Sequence, residues 1–289
     1  MITELDRNDS ITRKPDWLKI KLPKGFKTSQ VVGLLNDYGL NTICSSGLCP
    51  NKGDCWGRGT ATFMIGGKVC TRNCKFCNVT SGKPSELDDK ELTEIVDSIK
   101  KLNLRHVVLT SVDRDDLKDY GNGHWCKMIS LVKQECHNVT MEVLIPDFQG
   151  RKDLIQNIID LKPEVISHNL ETVRRLTPQI RSVATYETSL DVIKQISDSG
   201  IRSKSGIMLG LGETEDEIVE TMEDLLKAGC QVITIGQYLQ PSRKHYPVKE
   251  YVTPEKFEEY RILGEKMGFR HIESAPLVRS SFHAEKHVL

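Results

Sequence analysis

A parallel α/β fold, a partial (βα)6 barrel of TIM type, is predicted by three features of the sequence. Short apolar runs alternate with helical patterns from about residue 60 onward, the alternation repeats as six strand–helix units, and polar residues gather where the runs end. A chain of 289 residues, 38% of them hydrophobic, is long enough to bury the core of one large domain or two modest ones. An open, doubly wound sheet shares this alternation, and periodicity does not separate the two folds.

The first strand is read at residues 62–65. Residues 87–102 then place Leu92, Ile95, Val96, Ile99 and Leu102 at helical spacing. A strand at 106–111 precedes a helix around 125–132. The next strand, 141–145, stops at Pro146 and leads into a helix over 152–161. Strands at 165–168, 203–209 and 231–235 complete the series, with helices at 186–199, 214–228 and 255–267. Each crossover returns the chain to the same end, so the sheet is parallel. Its polar strand ends are 70–77, 110–116, Asp147, 168–171, 210–213 and 236–240. Before residue 60 the composition turns loop-like, and no repeat or low-complexity tract is present.

Forty basic residues balance forty acidic ones, which removes the bulk electrostatic argument for nucleic acid. No apolar run approaches the roughly 20 residues of a membrane span. The first residues mix charges and have no apolar signal core. The expectation is a soluble protein of a reducing compartment, the cytoplasm.

Cysteine carries the chemistry. Nine are present, six of them in two triads: Cys44, Cys49, Cys55 and Cys70, Cys74, Cys77. A disulfide framework belongs to short secreted chains. Zinc knuckles repeat a Cys-x2-Cys pair, and only Cys74 to Cys77 has that spacing. Thiolate triads suit iron–sulfur clusters instead, and a set of three leaves one iron of a 4Fe–4S cube open. Cys126, Cys136 and Cys230 lie apart and are read as inert buried thiols. The eight histidines show no metal-ligand spacing.

The stretch Cys70-Thr-Arg-Asn-Cys74-Lys-Phe-Cys77 resembles the signature of the radical S-adenosylmethionine enzymes, including the aromatic Phe76 before the last cysteine. The resemblance implies that these thiolates hold a 4Fe–4S cluster whose open iron chelates S-adenosylmethionine, which one electron cleaves to a hydrogen-abstracting radical. The rest of the chain resembles the lipoyl-forming branch of that family. Cys44-x4-Cys49-x5-Cys55 is similar to that branch's auxiliary-cluster motif. Similarity continues through Arg13-Lys-Pro-Asp-Trp17, 109–116, 168–173, 234–243 and Val278-Arg-Ser-Ser-Phe-His-Ala284. One departure is Phe282, where the branch usually has tyrosine.

The resemblance divides the chain into an N-terminal extension (1–35), an auxiliary-cluster segment (36–61), the radical barrel (62–275) and a C-terminal tail (276–289). It implies two 4Fe–4S clusters, with Ser281, or alternatively Ser280, as the auxiliary cluster's fourth ligand. It assigns Asn169, Glu171, Arg181 and more weakly Ser111 to S-adenosylmethionine. The implied reaction inserts two sulfur atoms, at C6 and C8, into an octanoyl chain held on a lipoyl carrier protein. The second cluster is the sulfur source. Further implied partners are a one-electron donor such as ferredoxin or flavodoxin and an iron–sulfur repair protein. Gly206, Gly210 and Gly212 do not follow Rossmann order and are read as allowing close approach of the cofactor. Asp113, Arg114 and Asp115 are read either as substrate contacts or as a solvated charged loop. Two rival readings are another sulfur-inserting radical enzyme and a non-catalytic two-cluster electron carrier.

Overall fold

The computed structural model describes residues 13–19, 42–47, 49–51, 55, 58 and 60–288, with Ser45 described in its backbone only. Of the expected N-terminal extension, therefore, only 13–19 can be discussed. The remainder, and much of the auxiliary-cluster segment, lie outside the described residues.

Seven parallel strands form one sheet: β1 (Thr60–Ile65), β4 (His106–Ser111), β5 (Thr140–Leu144), β6 (Val165–Ser167), β7 (Arg202–Leu209), β8 (Val232–Gln237) and β9 (His271–Ser274), neighbours in that order. Two short strands, β2 (Val69–Cys70) and β3 (Thr80–Ser81), pair beside it. The strand order follows the chain without reversal. A doubly wound sheet needs a reversal, so the order is that of a partial barrel. Six strand–helix units are present, as expected, and β9 adds a seventh strand. Periodicity passes over β9 because Ile272 is the one apolar residue in His-Ile-Glu-Ser.

Alternation along the strands explains both faces. Phe63, Ile65, Val107, Leu109, Met141 and Val143 pack outward with the helices in one core. Met64, Thr110, Leu144, Gly206, Met208 and Thr234 line the interior cavity. Helix α2 (Lys90–Lys101) buries Leu92, Ile95, Val96 and Ile99. α3 (Asn122–Glu135), α4 (Lys152–Asp160) and α6 (Tyr186–Asp198) follow β4 to β6. α7 (Glu215–Lys227) starts at a capping box, Thr214 with Glu217, which satisfies free amides at both ends of the pair. α8 (Pro254–Met267) begins with proline and stops at Gly268, whose φ of 108° favours glycine.

β1 and β9 are the sheet's edges, and the C-terminal tail spans the region between them. Asn51 Nδ2 donates to Leu277 O at 2.6 Å across 226 positions of sequence. Thr60 Oγ1, at the start of β1, donates to Glu285 at 3.2 Å. Arg202, at the start of β7, donates to His287 O. The tail therefore runs from the cavity down to the barrel's N-terminal end.

A polar layer sits at that end. Lys204 Nζ bonds both oxygens of Glu142 at 2.7 and 2.8 Å, and neither side chain is exposed. Burial alone would raise the Glu142 pKa, but Lys204 outweighs it and holds the carboxyl down at about 2. Removing one partner of such a pair leaves a buried charge uncompensated, at about 3–5 kcal/mol. Lys204→Met should lose about that much stability in anaerobic urea unfolding. The double variant with Glu142→Leu should recover most of it, because a packed apolar pair is often as stable as the ion pair.

Candidate active site

The cysteine loop 70–77 leaves the first strand region and is held from three sides. Arg72, inside the loop, is 4% exposed in its side chain. Its Nε and Nη2 donate to Asp115 at 2.8 and 2.9 Å, and Nη2 and Nη1 donate to Asp147 at 2.7 and 3.1 Å. Asp113 lies 3.4 Å away. Burial opposes the guanidinium charge, but the bonds to Asp115 and Asp147 more than offset it. Thr71 N and Oγ1 both donate to Asp113 O, fixing the loop to the end of β4. Lys75 N donates to Ile180 O and Tyr246 N to Lys75 O, so two further loops grip the same turn. His245 Nε2 bonds Cys77 O at 3.0 Å; a carbonyl only accepts, so Nε2 carries the proton. Phe76 packs against the second apolar core, which gives the aromatic of the motif its place.

The three thiols converge. Cys70 Sγ receives the amides of Arg72 and Asp113 at 3.4 and 3.3 Å, and Cys74 Sγ lies 3.6 Å from Ser182 Oγ. Burial, with Asp113 and Cys77 adding, pushes the Cys70 thiol up to about 12; burial, with Cys74 and Glu171 adding, pushes Cys77 to about 11. Without a cation these buried sulfurs keep their protons. Cluster iron reverses that balance and deprotonates a coordinating thiol, so loading releases protons.

The first triad is built differently. Cys44 lies on α1 (Ile43–Ser46), and Cys49 N returns to Cys44 O at 3.1 Å. Cys55 is buried, and burial, with Cys49 and Cys44 adding, pushes its thiol up to about 12. Asn78, the residue after Cys77, donates to Ser46 O at 2.7 Å and so joins the two cysteine segments directly.

One cavity of about 470 Å³ is reached by both triads, the first through Cys44 and Cys49 alone. Cys44 and Cys49, all three of Cys70, Cys74 and Cys77, and Ser280 and Ser281 border it. Among the described residues neither serine hydroxyl has a hydrogen-bond partner. Gly236 admits the tail here: a Cβ on it would meet Val278 O at 2.1 Å.

Asn169, Glu171, Arg181 and Ser111 all border the same cavity. Among the described residues the buried Asn169 Oδ1 has no hydrogen-bond partner, and a Cβ on Gly206 would stand 3.0 Å from it. An orphaned acceptor beside a glycine cradle fits a polar ligand that donates there. Glu171 has φ of 72°, unusual for a non-glycine residue, and is held by Glu171 N to Gly206 O and Met208 N to Glu171 O, both 2.9 Å. Its carboxyl is raised by burial and lowered by Arg181 and Asn169. Ser111 already accepts from Trp125 Nε1 at 3.2 Å, so its hydroxyl is partly engaged.

Other expectations change. Gly210 and Gly212, at φ 96° and 105°, border no part of the cavity; a Cβ on Gly210 would collide with Gln237 and Glu250, so they serve a tight turn. Asp113 and Asp115 brace Arg72, and Arg114 is buried against Asp116, so 113–116 is no solvated loop. Cys136 and Cys230 are buried as expected, whereas Cys126 is half-buried. Sequence reasoning placed Asp147 at a polar strand end but missed its partner Arg72, and missed the chain behind Arg181. His168 Nδ1 bonds Ile145 O at 2.9 Å and must donate, so Nε2 accepts from Ser189 Oγ at 3.0 Å. That hydroxyl in turn accepts from Arg181 Nη1 at 2.7 Å. Burial holds His168 near 4 and keeps the chain in this order at neutral pH.

A parallel barrel with a Cys-x3-Cys-x2-Cys loop after its first strand defines a radical S-adenosylmethionine enzyme, and residues 64–225 match the family model of the Radical SAM superfamily. The chain is 65% identical over 277 residues to a lipoyl synthase of Treponema denticola, covering 96% of each chain. It is 58% identical over 276 residues to one of Phocaeicola vulgatus, covering 96% of this chain and 97% of that one. The chain belongs to the lipoyl synthase family of radical S-adenosylmethionine enzymes. The fold is shared with crystal structures of methylornithine synthase (TM-score 0.57, 12% identity, 86% of this chain and 82% of that one). It is shared also with Streptococcus suis SuiB bound to precursor peptide SuiA (TM-score 0.60, 10% identity, 85% and 52%).

Arg72→Met should cost about 3–5 kcal/mol in urea unfolding at neutral pH, by stranding Asp147 and Asp115. Both carboxyls are held below their ordinary 3.8 because Arg72's bonds outweigh burial. Their contribution is complete above that value and drains as pH falls through the lowered folded values. The gap between wild type and variant should therefore narrow in acid, and an equal gap at every pH would refute the assignment.

Proposed function

We propose that the chain inserts two sulfur atoms into an octanoyl group carried on a lipoyl carrier protein, using two 4Fe–4S clusters of unequal role. The observation that carries this reading is the shared cavity: Cys44 and Cys49 of one triad, all three thiols of the other and the tail serines border one space. In this reading Cys70, Cys74 and Cys77 hold the cluster that binds S-adenosylmethionine, and Cys44, Cys49 and Cys55 hold the cluster that donates sulfur. When bound, the first cluster and its ligand supply the power to abstract hydrogen from unactivated carbon.

The chain's own residues then bind, orient and exclude. Asn169 Oδ1 offers an acceptor for an ammonium or ribose hydroxyl, Arg181 a donor for a carboxylate, and Glu171 a second acceptor held by its backbone bonds. The His168–Ser189 chain fixes where Arg181 points. Val278, Met64 and Met208 keep the cavity apolar between its polar groups. Ser281, with Ser280 as the alternative, gives the second cluster an oxygen ligand on iron otherwise bound by sulfur. A hard donor leaves more readily than a fourth thiolate, which suits a cluster that must come apart. The octanoyl carrier, a one-electron donor of ferredoxin or flavodoxin type, a repair protein and a cytoplasmic setting complete the proposal. Among the described residues no helix is long and apolar enough to cross a membrane.

Replacing Cys44, Cys49 and Cys55 together with alanine should leave about half the iron and preserve 5′-deoxyadenosine formation under dithionite, while abolishing lipoyl product. Replacing Cys70, Cys74 and Cys77 should also leave about half the iron but abolish 5′-deoxyadenosine. Loss of that cleavage in both triple variants, each still folded with one cluster, would sink the division of roles. Ser281→Ala should keep three-thiolate iron yet lower lipoyl formation by at least about tenfold, the lower end of what losing metal-site support costs. Ser281→Cys should hold the cluster more firmly and also turn over slowly. Normal turnover in both, with impairment in Ser280 variants, would move the role to Ser280.

A further inference from the structure

At the far end of the barrel from the cavity, β9 and the last turn of the tail bring His271, Glu273 and His287 together, with one donor atom from each within 4.8 Å of the others. Their sequence spacing gives no sign of this, since two lie on a strand and the third near the end of the tail. His271 Nε2 and Glu273 Oε1 stand 3.3 Å apart. His287 is 1% exposed, and among the described residues neither of its ring nitrogens has a partner within hydrogen-bonding distance. The nearest carboxylate, Glu142 Oε2, is 4.0 Å from Nδ1, beyond hydrogen-bonding range, and Glu142 is already committed to Lys204. The His271 and His287 rings are 4.7 Å apart and tilted by 59°, so they do not stack face to face. A buried imidazole with two unused nitrogens, aimed at a histidine and a carboxylate, calls for a ligand.

We propose that His271, Glu273 and His287 bind a divalent transition-metal ion of zinc type, each histidine through one ring nitrogen and Glu273 through a carboxylate oxygen. Two imidazoles and one carboxylate are a known zinc donor set, which leaves a position for water. Tetrahedral zinc with bonds of about 2.0–2.1 Å sets its ligand atoms about 3.3 Å apart. The His271–Glu273 pair already stands at that separation, and side-chain rotation of His287 closes the rest. His283 Nδ1 bonds Glu273 Oε1 at 3.0 Å, the kind of outer support a ligating carboxylate receives. His271 and Glu273 are half-buried, which gives the ion a route in from solvent. Lys204, the nearest buried cation, is neutralised by Glu142, so Glu273 sets the local charge. Imidazole and carboxylate donors also separate this ion from the thiolate sites, which favour softer iron–sulfur chemistry. The ion would tie the end of the tail to β9, a few residues beyond Ser281. The inference does not depend on the function proposed above.

The test uses anaerobic holoprotein with its clusters loaded, so that cysteine is not free to scavenge metal. Zinc is added, unbound metal is removed by gel filtration, and zinc and iron are counted together. Wild type should retain one zinc per chain with iron unchanged. His287→Gln and, should that variant fold poorly, the half-buried His271→Gln should weaken zinc binding at least about tenfold, again with iron unchanged. Added zinc should also slow proteolysis of the C-terminal tail in wild type and not in His271→Gln. Absence of retained zinc in wild type overturns the proposal, as does zinc retained equally by both variants. If the holoprotein carries a single cluster, the two-cluster reading fails separately, and zinc lost from the histidine variants still supports this site.

Discussion

The guanidinium of Arg72 is the interaction on which the rest of the site depends, because it fastens the cysteine loop to two strand ends at once. Asp115 belongs to the segment after β4, Asp147 to the segment after β5, and both are fastened to one side chain lying between Cys70 and Cys74. A loop that must present three thiols to one cluster cannot be left to backbone entropy. Charge-assisted bonds in a place that excludes water supply the needed rigidity, and the planar fork makes them directional in a way lysine could not. The geometry of the cavity follows from that anchoring: once the loop is fixed to the rim, Glu171, Asn169 and Arg181 face it from β6 and the segment beyond.

The second constraint is the open side of the barrel. A sheet that ends at β1 and β9 leaves an interior that must be filled, and here the chain's own C-terminus fills it. That arrangement links two ends of the molecule in opposite chemical styles. Near the cavity the tail offers small residues and hydroxyls, with Gly236 giving it room to approach. At the other end it offers His287 to a layer already holding Glu142 and Lys204. Asn51, Thr60 and Arg202 bond the tail at three separate points, which sets its register: it cannot slide without breaking those bonds. Ser280 and Ser281 inherit their position from that register.

Much of this was readable from residues in order. The helices at 90–101, 186–198 and 215–227 sit where their apolar spacing and caps put them. Six of the seven barrel strands follow from short runs that alternate with helical patterns. The seventh, β9, escaped because its environment is polar on one face: Glu273 and His271 serve the tail, so the strand carries no apolar alternation. Residues 113–115 read equally as substrate contacts or as a solvated charged loop, whereas the structure pairs them with Arg72 and Asp116, because sequence shows charges but not their partners. Gly206 and Gly210 look alike in one motif, yet one clears space beside Asn169 and the other turns the chain.

The sequence by itself determined the parallel α/β class, the two thiol triads, and the resemblance that points to radical chemistry, since spacing and composition are local properties. Only the tertiary structure decided that thiols of both triads and the tail serines share one cavity, that Arg72 holds the cysteine loop, and that His287 lies beside His271 and Glu273. Those facts join residues far apart in the chain, and the distance between them is set by sheet order, strand register and the packing of a tail into an open seam.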